Sequence, residues 1–367
     1  MTVGNWTEAW QNVADGIPGT STNQIPFNLF DDRCQKVFKV LSQPEPATGL
    51  TPKEVIWRKN KMRVYRFSLP AAKVTKQTPV FMLYAMINKP YILDIEPGNS
   101  FVEHLLMQGF DVYMLDWGEA GPEDCNNGFA EYIFDYLHKA VERVCLYTGK
   151  EQVHMFSYCM GGTMGAMYTT LYPERVKNLV VLAAPIDFRH ADLYNTWLDE
   201  KYFDVDRLVE TYGNIPPEVI DLGNKMLKPM SNFINPWVYL MEKVDNENFV
   251  HTWRLLNKWV NDGTAFPGET YRQWIRDFYQ QNKLIKGEIV LRDRRVDLAN
   301  IKCPVLLLTA AQDHIAPCEQ TRALFDYISS QDKTEYNYPV GHVSLVFSGM
   351  ARNKVYPETA AWLAKRD

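Results

Sequence analysis

The stretch Val153-His154-Met155-Phe156-Ser157-Tyr158-Cys159-Met160-Gly161-Gly162-Thr163 joins an apolar segment to a tight turn around one cysteine. Val153–Tyr158 has the length and apolar character of a buried β-strand. The small residues that follow Cys159 allow a helix to start close to that strand. A nucleophile at such a turn projects from the edge of the sheet, where a ligand can reach it. The stretch therefore predicts a strand, a nucleophile and a helix, in that order.

Strands and helices alternate over most of the chain. An antiparallel strand pair is predicted at 54–57 and 62–67, and further strands at 79–87, 110–117, 179–185, 304–309 and 334–338. Helices are predicted at 27–41, 101–108, 130–147, 163–171, 319–329 and in the last residues up to 365. This alternation indicates an α/β protein with a mostly parallel, doubly wound sheet. Together with the cysteine turn, it predicts the α/β-hydrolase fold.

The alternation is interrupted once, which suggests the division of the chain. We predict an N-terminal extension over 1–50, the first part of the α/β-hydrolase core over 51–186, and its second part over 301–367. Between them, 187–300 is expected to be an inserted helical cap, or lid. Tryptophan, tyrosine and phenylalanine are frequent in this insertion. They favour a cap that excludes water, although some of them are needed simply to pack its helices.

Composition excludes several classes of protein. The formal net charge is -5, so no basic field would attract nucleic acid. We expect no membrane span, because no run of apolar residues has the required length. The first residues lack the features of a secretory signal. The six cysteines show no paired or zinc-like spacing, which indicates reduced thiols and a cytoplasmic location.

The cysteine turn also predicts the groups that would stabilise an oxyanion. The backbone N–H of Met160 starts the helix and would face the developing negative charge. A second donor is expected from the loop after strand 79–87, and the N–H of Ile87 is our candidate. Ser157 occupies a position where many related enzymes have glycine, so the geometry of the turn needs to be examined there.

A nucleophile on this fold needs an acid and a histidine, which follow it in that order along the chain. Asp313 lies in the loop after strand 304–309, and His342 follows strand 334–338. Both would lie at the carboxyl edge of the sheet with Cys159, because the carboxyl ends of parallel strands meet there. Taken singly, Asp313 could be a loop cap and His342 a surface histidine. Together they predict the catalytic triad Cys159, Asp313 and His342.

The thiol itself points to a class of reaction. An acyl group on Cys159 is a thioester, close in energy to an acyl-CoA, and its transfer to an alcohol is energetically favourable. This favours acyl transfer from a thioester donor to a hydroxyl acceptor. A cysteine-dependent hydrolase of esters or lactones is the alternative, and a non-catalytic protein on the same fold is a second one.

The sequence resembles the catalytic subunit of polyhydroxyalkanoate synthases, most closely the short, two-component class IV type of Bacillus-like bacteria. The resemblance covers the chain from about residue 49 to its end, and the first 45 residues match less well. Matching segments include 49–57, 87–92, 110–118, 158–163, 213–218 and 267–279, together with Asp313-His314 and Gly341-His342. The corresponding family motif is G-x-C-x-G, from which Ser157 departs.

The resemblance implies a poly(3-hydroxyalkanoate) synthase, an acyltransferase that polymerises (R)-3-hydroxyacyl-CoA, chiefly 3-hydroxybutyryl-CoA, with release of CoA. It implies a Cys159 thioester intermediate, with His342 as the base and Asp313 as its orienting acid. It also implies a non-catalytic PhaR-type subunit, a homodimer or hetero-oligomer, and association with polyester granules in the cytoplasm. No metal or organic cofactor is implied. Arg272, Arg276, Lys283 and Lys286 are candidates for the CoA phosphates by charge alone, and a solvated surface explains them equally well.

Overall fold

The computed structural model describes residues 27–367, and residues 1–26 of the predicted N-terminal extension lie outside this range. Its central feature is an eight-stranded sheet. The strands are β1 Lys53–Lys59, β2 Met62–Phe67, β3 Val80–Leu83, β4 Val112–Asp116, β5 Val153–Tyr158, β6 Val176–Leu182, β7 Val305–Ala310 and β8 Lys333–Tyr338. Their spatial order is β1-β2-β4-β3-β5-β6-β7-β8. Only β2 runs antiparallel to its neighbours, and the other pairs are parallel.

Helices cover the sheet and fill the insertion between β6 and β7. The α-helices of the N-terminal half are α1 Phe27–Leu41, α2 Phe101–Met107, α3 His138–Thr148 and α4 Met160–Leu171. The insertion contains α5 Leu193–Trp197, α6 Val205–Tyr212, α7 Pro217–Met226, α8 Asn235–Glu242, α9 Glu247–Asn261, α10 Gly268–Gln273 and α11 Lys283–Lys286. The C-terminal part contains α12 Cys318–Arg322, α13 Leu324–Tyr327 and α14 Tyr356–Ala364.

Shorter elements complete the fold. Four π-helical segments are Glu131–Leu137, Met230–Ile234, Trp274–Gln280 and Ala351–Val355. The 3₁₀ turns are Pro90–Leu93, Pro122–Asp124, Pro173–Arg175, Phe188–His190, Leu298–Asn300 and Val343–Leu345. Two small antiparallel pairs join Asp94–Glu96 to Asn99–Ser100 and Val290–Leu291 to Arg294–Arg295. Among the helices of residues 27–367, none has both the length and the apolar character needed to cross a bilayer.

The predicted α/β-hydrolase sheet is confirmed, with differences at the ends of its elements. The strand expected over 79–87 ends at Leu83, because residues 84–87 turn away as a loop. The helix expected over 130–147 begins with the π-helical segment Glu131–Leu137, and the helix expected over 319–329 is divided into α12 and α13. Hydrophobic periodicity marks where such elements lie, but it does not register a local change of helix type.

Helix α4, directly after the cysteine turn, is buried along its whole length. It packs on β5 and β6, and its sequence has almost no polar face. A helix that is apolar on all sides belongs in the interior of a large protein. The turn that carries Cys159 is therefore followed by a helix of the hydrophobic core rather than by a surface helix.

Contacts within the described chain define two compact units. The larger comprises Glu45–Phe233 and Arg254–Asp367 and contains the whole sheet. The smaller groups the described residues 27–44 with Ile234–Trp253, around a core of Val40, Leu240, Val244 and Trp253. Lys36 pairs with Asp245 at 2.5 Å within this smaller unit. The domain boundaries suggested by the sequence at 50, 186 and 300 stay a prediction.

Candidate active site

Cys159 occupies a strained turn between β5 and α4. Its backbone lies at φ 57° and ψ -135°, a region that residues with a side chain rarely adopt. Such a conformation costs about 1–3 kcal/mol and persists only where the surroundings impose it. Here the Cys159 N–H donates to the Leu182 carbonyl at 2.9 Å, and the Gly162 N–H donates to the Cys159 carbonyl at 2.8 Å. A side chain at Gly161 would come within 2.6 Å of the Leu83 carbonyl oxygen, so the turn requires glycine there.

Asp313 and His342 meet at the same edge of the sheet. The loops after β7 and β8 are joined by two backbone hydrogen bonds, from Ala311 to Tyr338 at 2.8 Å and from Gln312 to Val340 at 3.0 Å. His342 Nδ1 lies 2.6 Å from Asp313 Oδ2, and both side chains are buried. The structure therefore brings together two residues that are separated in the sequence by two short helices and a strand.

The second carboxylate oxygen of Asp313 is also satisfied. Oδ1 accepts hydrogen bonds from the N–H groups of Ile315 at 2.8 Å and Ala316 at 2.9 Å. These bonds fix the carboxylate in its loop, so that Oδ2 faces the imidazole. A buried carboxylate with both oxygens hydrogen-bonded is a rigid partner for a histidine.

His342 links the carboxylate to the thiol. Burial by itself lowers the pKa of His342, but the Asp313 carboxylate and Cys159 outweigh it through their charges and through hydrogen bonds, and raise that pKa to about 10. The imidazole makes hydrogen bonds with both the acid and the nucleophile, as the triad requires. All three residues predicted from the sequence are adjacent, and their catalytic roles stay a prediction.

The pKa of His342 predicts how stability depends on pH. A histidine whose pKa is raised on folding stabilises the protein fully below its unfolded value of about 6.5, and loses this contribution as pH rises through the folded value. We expect the difference in free energy of unfolding between the native chain and His342→Gln to shrink steadily from pH 6.5 to about 10. Urea denaturation at several pH values measures it, and a difference that does not change with pH would contradict this assignment.

Tyr158, next to the nucleophile, contacts His342 and supports its position. The sequence did not predict this role. Its hydroxyl donates to the backbone carbonyl of His342 at 3.2 Å. The two rings stack with centroids 5.2 Å apart. Tyr158 has no exposed surface, so its position is fixed by the core. Its place immediately before Cys159 in the sequence was the one available signal.

Ser157 is accommodated by a glycine on the helix that follows. Its hydroxyl donates to the Val180 carbonyl at 2.7 Å, and the side chain is fully buried. A Cβ atom at Gly165 would lie 2.8 Å from Ser157 Oγ and 2.9 Å from Ser157 Cβ. The space for the serine side chain thus comes from Gly165, and the strained turn at Cys159 forms with Ser157 in place.

This contact predicts a compensating pair of substitutions. Gly165→Ala alone is expected to lower the free energy of unfolding by about 1–3 kcal/mol, because the added methyl group overpacks Ser157. Introduced together with Ser157→Gly, the same change should cost much less, since the clashing atoms are gone. Urea denaturation of both single variants and the double variant measures the coupling. An equal cost of Gly165→Ala in the two backgrounds would show that Ser157 is not the constraint.

An apolar cavity of about 270 Å³ begins at Cys159. Met160 and Ile87 line it next to the cysteine, and the remainder of the wall comes mainly from insertion residues. The loop that carries Ile87 is held by Thr264, whose N–H donates to the Ile87 carbonyl at 3.0 Å and whose hydroxyl donates to the Met86 carbonyl at 2.6 Å. The first N–H groups of α4 have no intrahelical acceptor. Both residues predicted to supply oxyanion donors therefore line the same cavity as the thiol, and their role stays a prediction.

The cations considered for CoA phosphates already have partners. Asp206 pairs with Arg272 at 2.8 Å and also with Arg276, and Asp277 pairs with Lys283 at 2.6 Å. Three of the four candidates, Arg272, Arg276 and Lys283, are thus engaged with carboxylates. This favours a solvated, internally paired surface over a phosphate site for these three residues.

Solved structures support the fold alone. A monoacylglycerol lipase from Paleococcus ferrophilus superposes with a TM-score of 0.50 at 17% identity, covering 83% of this chain and 99% of its own. A candidate lipase from Sulfolobus solfataricus superposes with a TM-score of 0.54 at 15% identity, covering 86% of this chain and 93% of its own. A family model of the α/β hydrolase fold matches residues 79–347.

Sequence relatives are much closer. A model of the N-terminus of poly-beta-hydroxybutyrate polymerase (PhaC) matches residues 44–105. The poly(3-hydroxyalkanoate) polymerase subunit PhaC of Synechocystis sp. is 36% identical over 89% of this chain and 88% of its own length. The subunit of the same name from Haloferax mediterranei is 34% identical over 97% of this chain and 70% of its own length. This chain therefore belongs to the PhaC family of poly(3-hydroxyalkanoate) polymerases, which are acyltransferases.

Proposed function

We propose that this chain is a poly(3-hydroxyalkanoate) synthase that transfers (R)-3-hydroxyacyl groups from CoA to Cys159, and from Cys159 to the hydroxyl end of a polyester. The observation that carries the proposal is the buried Asp313–His342 pair, 2.6 Å apart, next to a thiol that opens into an apolar cavity. An acyl chain fits such a cavity, and the apolar wall disfavours the entry of water. No cofactor or metal takes part in the proposed reaction.

In the first half-reaction, His342 accepts the thiol proton as Cys159 Sγ attacks the carbonyl carbon of the acyl-CoA. The carbonyl oxygen becomes an oxyanion near the N–H groups of Met160 and Ile87. When the carbon–sulfur bond to CoA breaks, the CoA thiolate takes the proton from His342. The acyl group is then a thioester of Cys159. Asp313 keeps the imidazole oriented and stabilises its positive charge throughout.

In the second half-reaction, His342 accepts the proton of a 3-hydroxyl group as its oxygen attacks the thioester of Cys159. The carbon–sulfur bond breaks, an ester forms, and the proton returns to Sγ. The exchange of a thioester for an ester is energetically favourable. Repetition of the two steps lengthens the polyester. With about 270 Å³, the cavity lies near the lower end of small-molecule sites, which span roughly 300–1,000 Å³, and this favours short acyl groups such as 3-hydroxybutyryl.

We also propose a PhaR-type non-catalytic subunit and attachment to polyester granules in the cytoplasm, with the chain as a homodimer or hetero-oligomer. Four large apolar side chains of 222–233 are exposed, namely Leu222, Met226, Met230 and Phe233. Exposed apolar groups clustered along one segment are typical of a surface that another molecule covers. The insoluble product would keep the enzyme at the granule surface.

The decisive experiment measures the fate of (R)-3-hydroxybutyryl-CoA. The purified chain, with and without a PhaR-type subunit, is incubated with this thioester and with 3-hydroxyacyl-CoAs of longer chains. Released CoA and insoluble polyester are both quantified. We expect polymer in proportion to CoA, with weak activity of the chain alone. Release of CoA with free 3-hydroxy acid and no polymer would instead identify a cysteine-dependent hydrolase, and a full rate without the subunit would refute the need for a partner.

A further inference from the structure

Three tyrosines interrupt the otherwise apolar wall of the cavity. Tyr194, Tyr271 and Tyr279 line it together with Cys159, and Asn224 is the remaining polar neighbour among them. Aromatic and aliphatic side chains make up most of the rest of the wall. A cavity for a purely hydrocarbon ligand would not need hydroxyl groups in its wall, so the three tyrosine hydroxyls require an explanation.

The three hydroxyls differ in their hydrogen bonds. Tyr194 donates to Asn224 Oδ1 at 2.5 Å. For Tyr271 and Tyr279, no hydrogen bond to another residue of the described chain is present, although Tyr271 is buried and Tyr279 is largely enclosed. Tyrosine hydroxyls at buried positions usually have a partner. Two donors are therefore free to bind a ligand in the cavity.

Tyr279 is the better placed of these two. Its ring is held by edge contacts with Phe188, at a centroid distance of 4.8 Å, and with Tyr194, at 5.5 Å. Burial raises the pKa of Tyr279 well above its ordinary value, and the neighbouring Tyr194 and Cys159 raise it further. Its phenol therefore stays protonated at working pH. Among the described residues, Tyr271 makes one such ring contact, with Phe266 at a centroid distance of 5.5 Å, so its ring is held less firmly.

The proposed substrate has two oxygen atoms near the reacting carbon. The carbonyl oxygen is directed to the backbone donors of the turn, as described above. The other oxygen is on carbon 3, two bonds beyond the carbonyl carbon, and is a free hydroxyl in the acyl group that Cys159 receives from CoA. A hydroxyl oxygen can accept a hydrogen bond.

We propose that the Tyr279 hydroxyl donates a hydrogen bond to the oxygen on carbon 3 of the acyl group held by Cys159. This inference rests on the proposed function and makes Tyr279 a specificity-determining residue of that site. A 3-hydroxyacyl group satisfies the donor, whereas a plain acyl group leaves it buried without an acceptor. Sites built in this way discriminate against ligands that lack the polar atom.

The test compares (R)-3-hydroxybutyryl-CoA with butyryl-CoA, which lacks the oxygen on carbon 3. Single-turnover release of CoA is measured for the native chain and for Tyr279→Phe, and the readout is the ratio of the two values of kcat/KM. We expect the native chain to prefer the hydroxylated thioester, and Tyr279→Phe to reduce that preference by about 10- to 100-fold. Phenylalanine keeps the ring contacts, so the fold should be retained. Tyr212→Phe, at a position that is 51% exposed, is the matched control and should leave the ratio unchanged.

Two results would overturn the inference. One is a Tyr279→Phe ratio equal to that of the native chain, including the case in which both rates fall equally. The other is a native chain that releases CoA equally fast from the two thioesters, a result that needs no variant at all. The proposed function fails in a different way: the native chain would release no CoA from (R)-3-hydroxybutyryl-CoA, or would release it equally well after Cys159→Ala.

Discussion

Replacing Cys159 with alanine is expected to lower the rate of CoA release from (R)-3-hydroxybutyryl-CoA by about 10⁴-fold or more. The substitution removes the only atom to which the acyl group could be attached in the proposed reaction. The remaining groups can still bind and polarise the substrate, but they cannot form the covalent intermediate. Polymer formation should disappear with it. Continuous spectrophotometric detection of CoA thiol, with polymer recovered by sedimentation, measures both effects.

Cys318→Ala provides a matched control. This cysteine follows the acid loop and is partly exposed, but its sulfur lies near Glu319 and Arg322 rather than near the histidine. It should retain full activity. If Cys159→Ala kept polymer synthesis, the covalent mechanism would be wrong. The alanine variant should fold, because it keeps the Cβ atom at the strained turn and removes only the sulfur.

Cys159→Ser separates the two half-reactions. Transfer from CoA to serine gives an ester and is energetically favourable, but onward transfer from one ester to another is close to neutral. We therefore expect acylation without efficient elongation, with the acyl group retained on Ser at this position. Mass spectrometry of the intact variant would detect the retained acyl group. Polymer growth at the native rate would show that the thioester is not the reason for the cysteine.

Asp313→Asn is expected to reduce CoA release by about 10³- to 10⁴-fold while preserving the shape of the loop. Asparagine keeps an oxygen that can accept from the N–H groups of Ile315 and Ala316, which now bind Oδ1. It removes the negative charge from the other position, 2.6 Å from His342 Nδ1. In the native chain, Asp313 and Cys159 together raise the pKa of His342 against the lowering effect of burial. In Asp313→Asn only Cys159 opposes burial, so the imidazole should lose its proton at lower pH.

The measurements for Asp313→Asn are the kcat for CoA release and the titration of the His342 imidazole by NMR, assigned with His342→Gln. Asp332→Asn is the control, since that carboxylate pairs with Arg366 at 2.7 Å and lies directly before β8, at the opposite end of this strand from His342. It should leave kcat unchanged. A lower kcat for Asp313→Asn with an unchanged histidine titration would mean that the aspartate acts on the substrate rather than through His342.

Much of this site follows from local sequence pattern. The run from Val153 to Thr163 contains an apolar strand segment, then a turn residue, then small residues. Few local structures are compatible with this order. Asp313 and His342 were identified because each follows an apolar strand, and parallel strands end at a common edge. Periodicity also located helix 27–41 and the β1–β2 pair to within a few residues.

Other features depend on contacts between residues that are distant in sequence. In the structure, residues 234–253 pack with the described residues 27–44, around Val40 and Leu240, and the sequence did not predict this contact. An amphipathic helix shows which of its faces is buried, but it does not show which partner covers that face. The two hydrogen bonds from Thr264 to the Ile87 loop could not be predicted from the sequence for the same reason.

The cysteine turn illustrates which features local sequence determines and which features depend on tertiary packing. The order of residue types around Cys159, together with the alternation of strands and helices along the chain, was enough to predict the fold, the nucleophile and its acid and base, because backbone sterics and strand periodicity act locally. Tertiary packing alone decided how Ser157 fits, since the necessary space comes from Gly165 on the next helix. It also decided that Tyr194, Tyr271 and Tyr279 surround the thiol's cavity. Side-chain packing and hydrogen bonding act through space, so they are determined only when distant segments of the chain have come together.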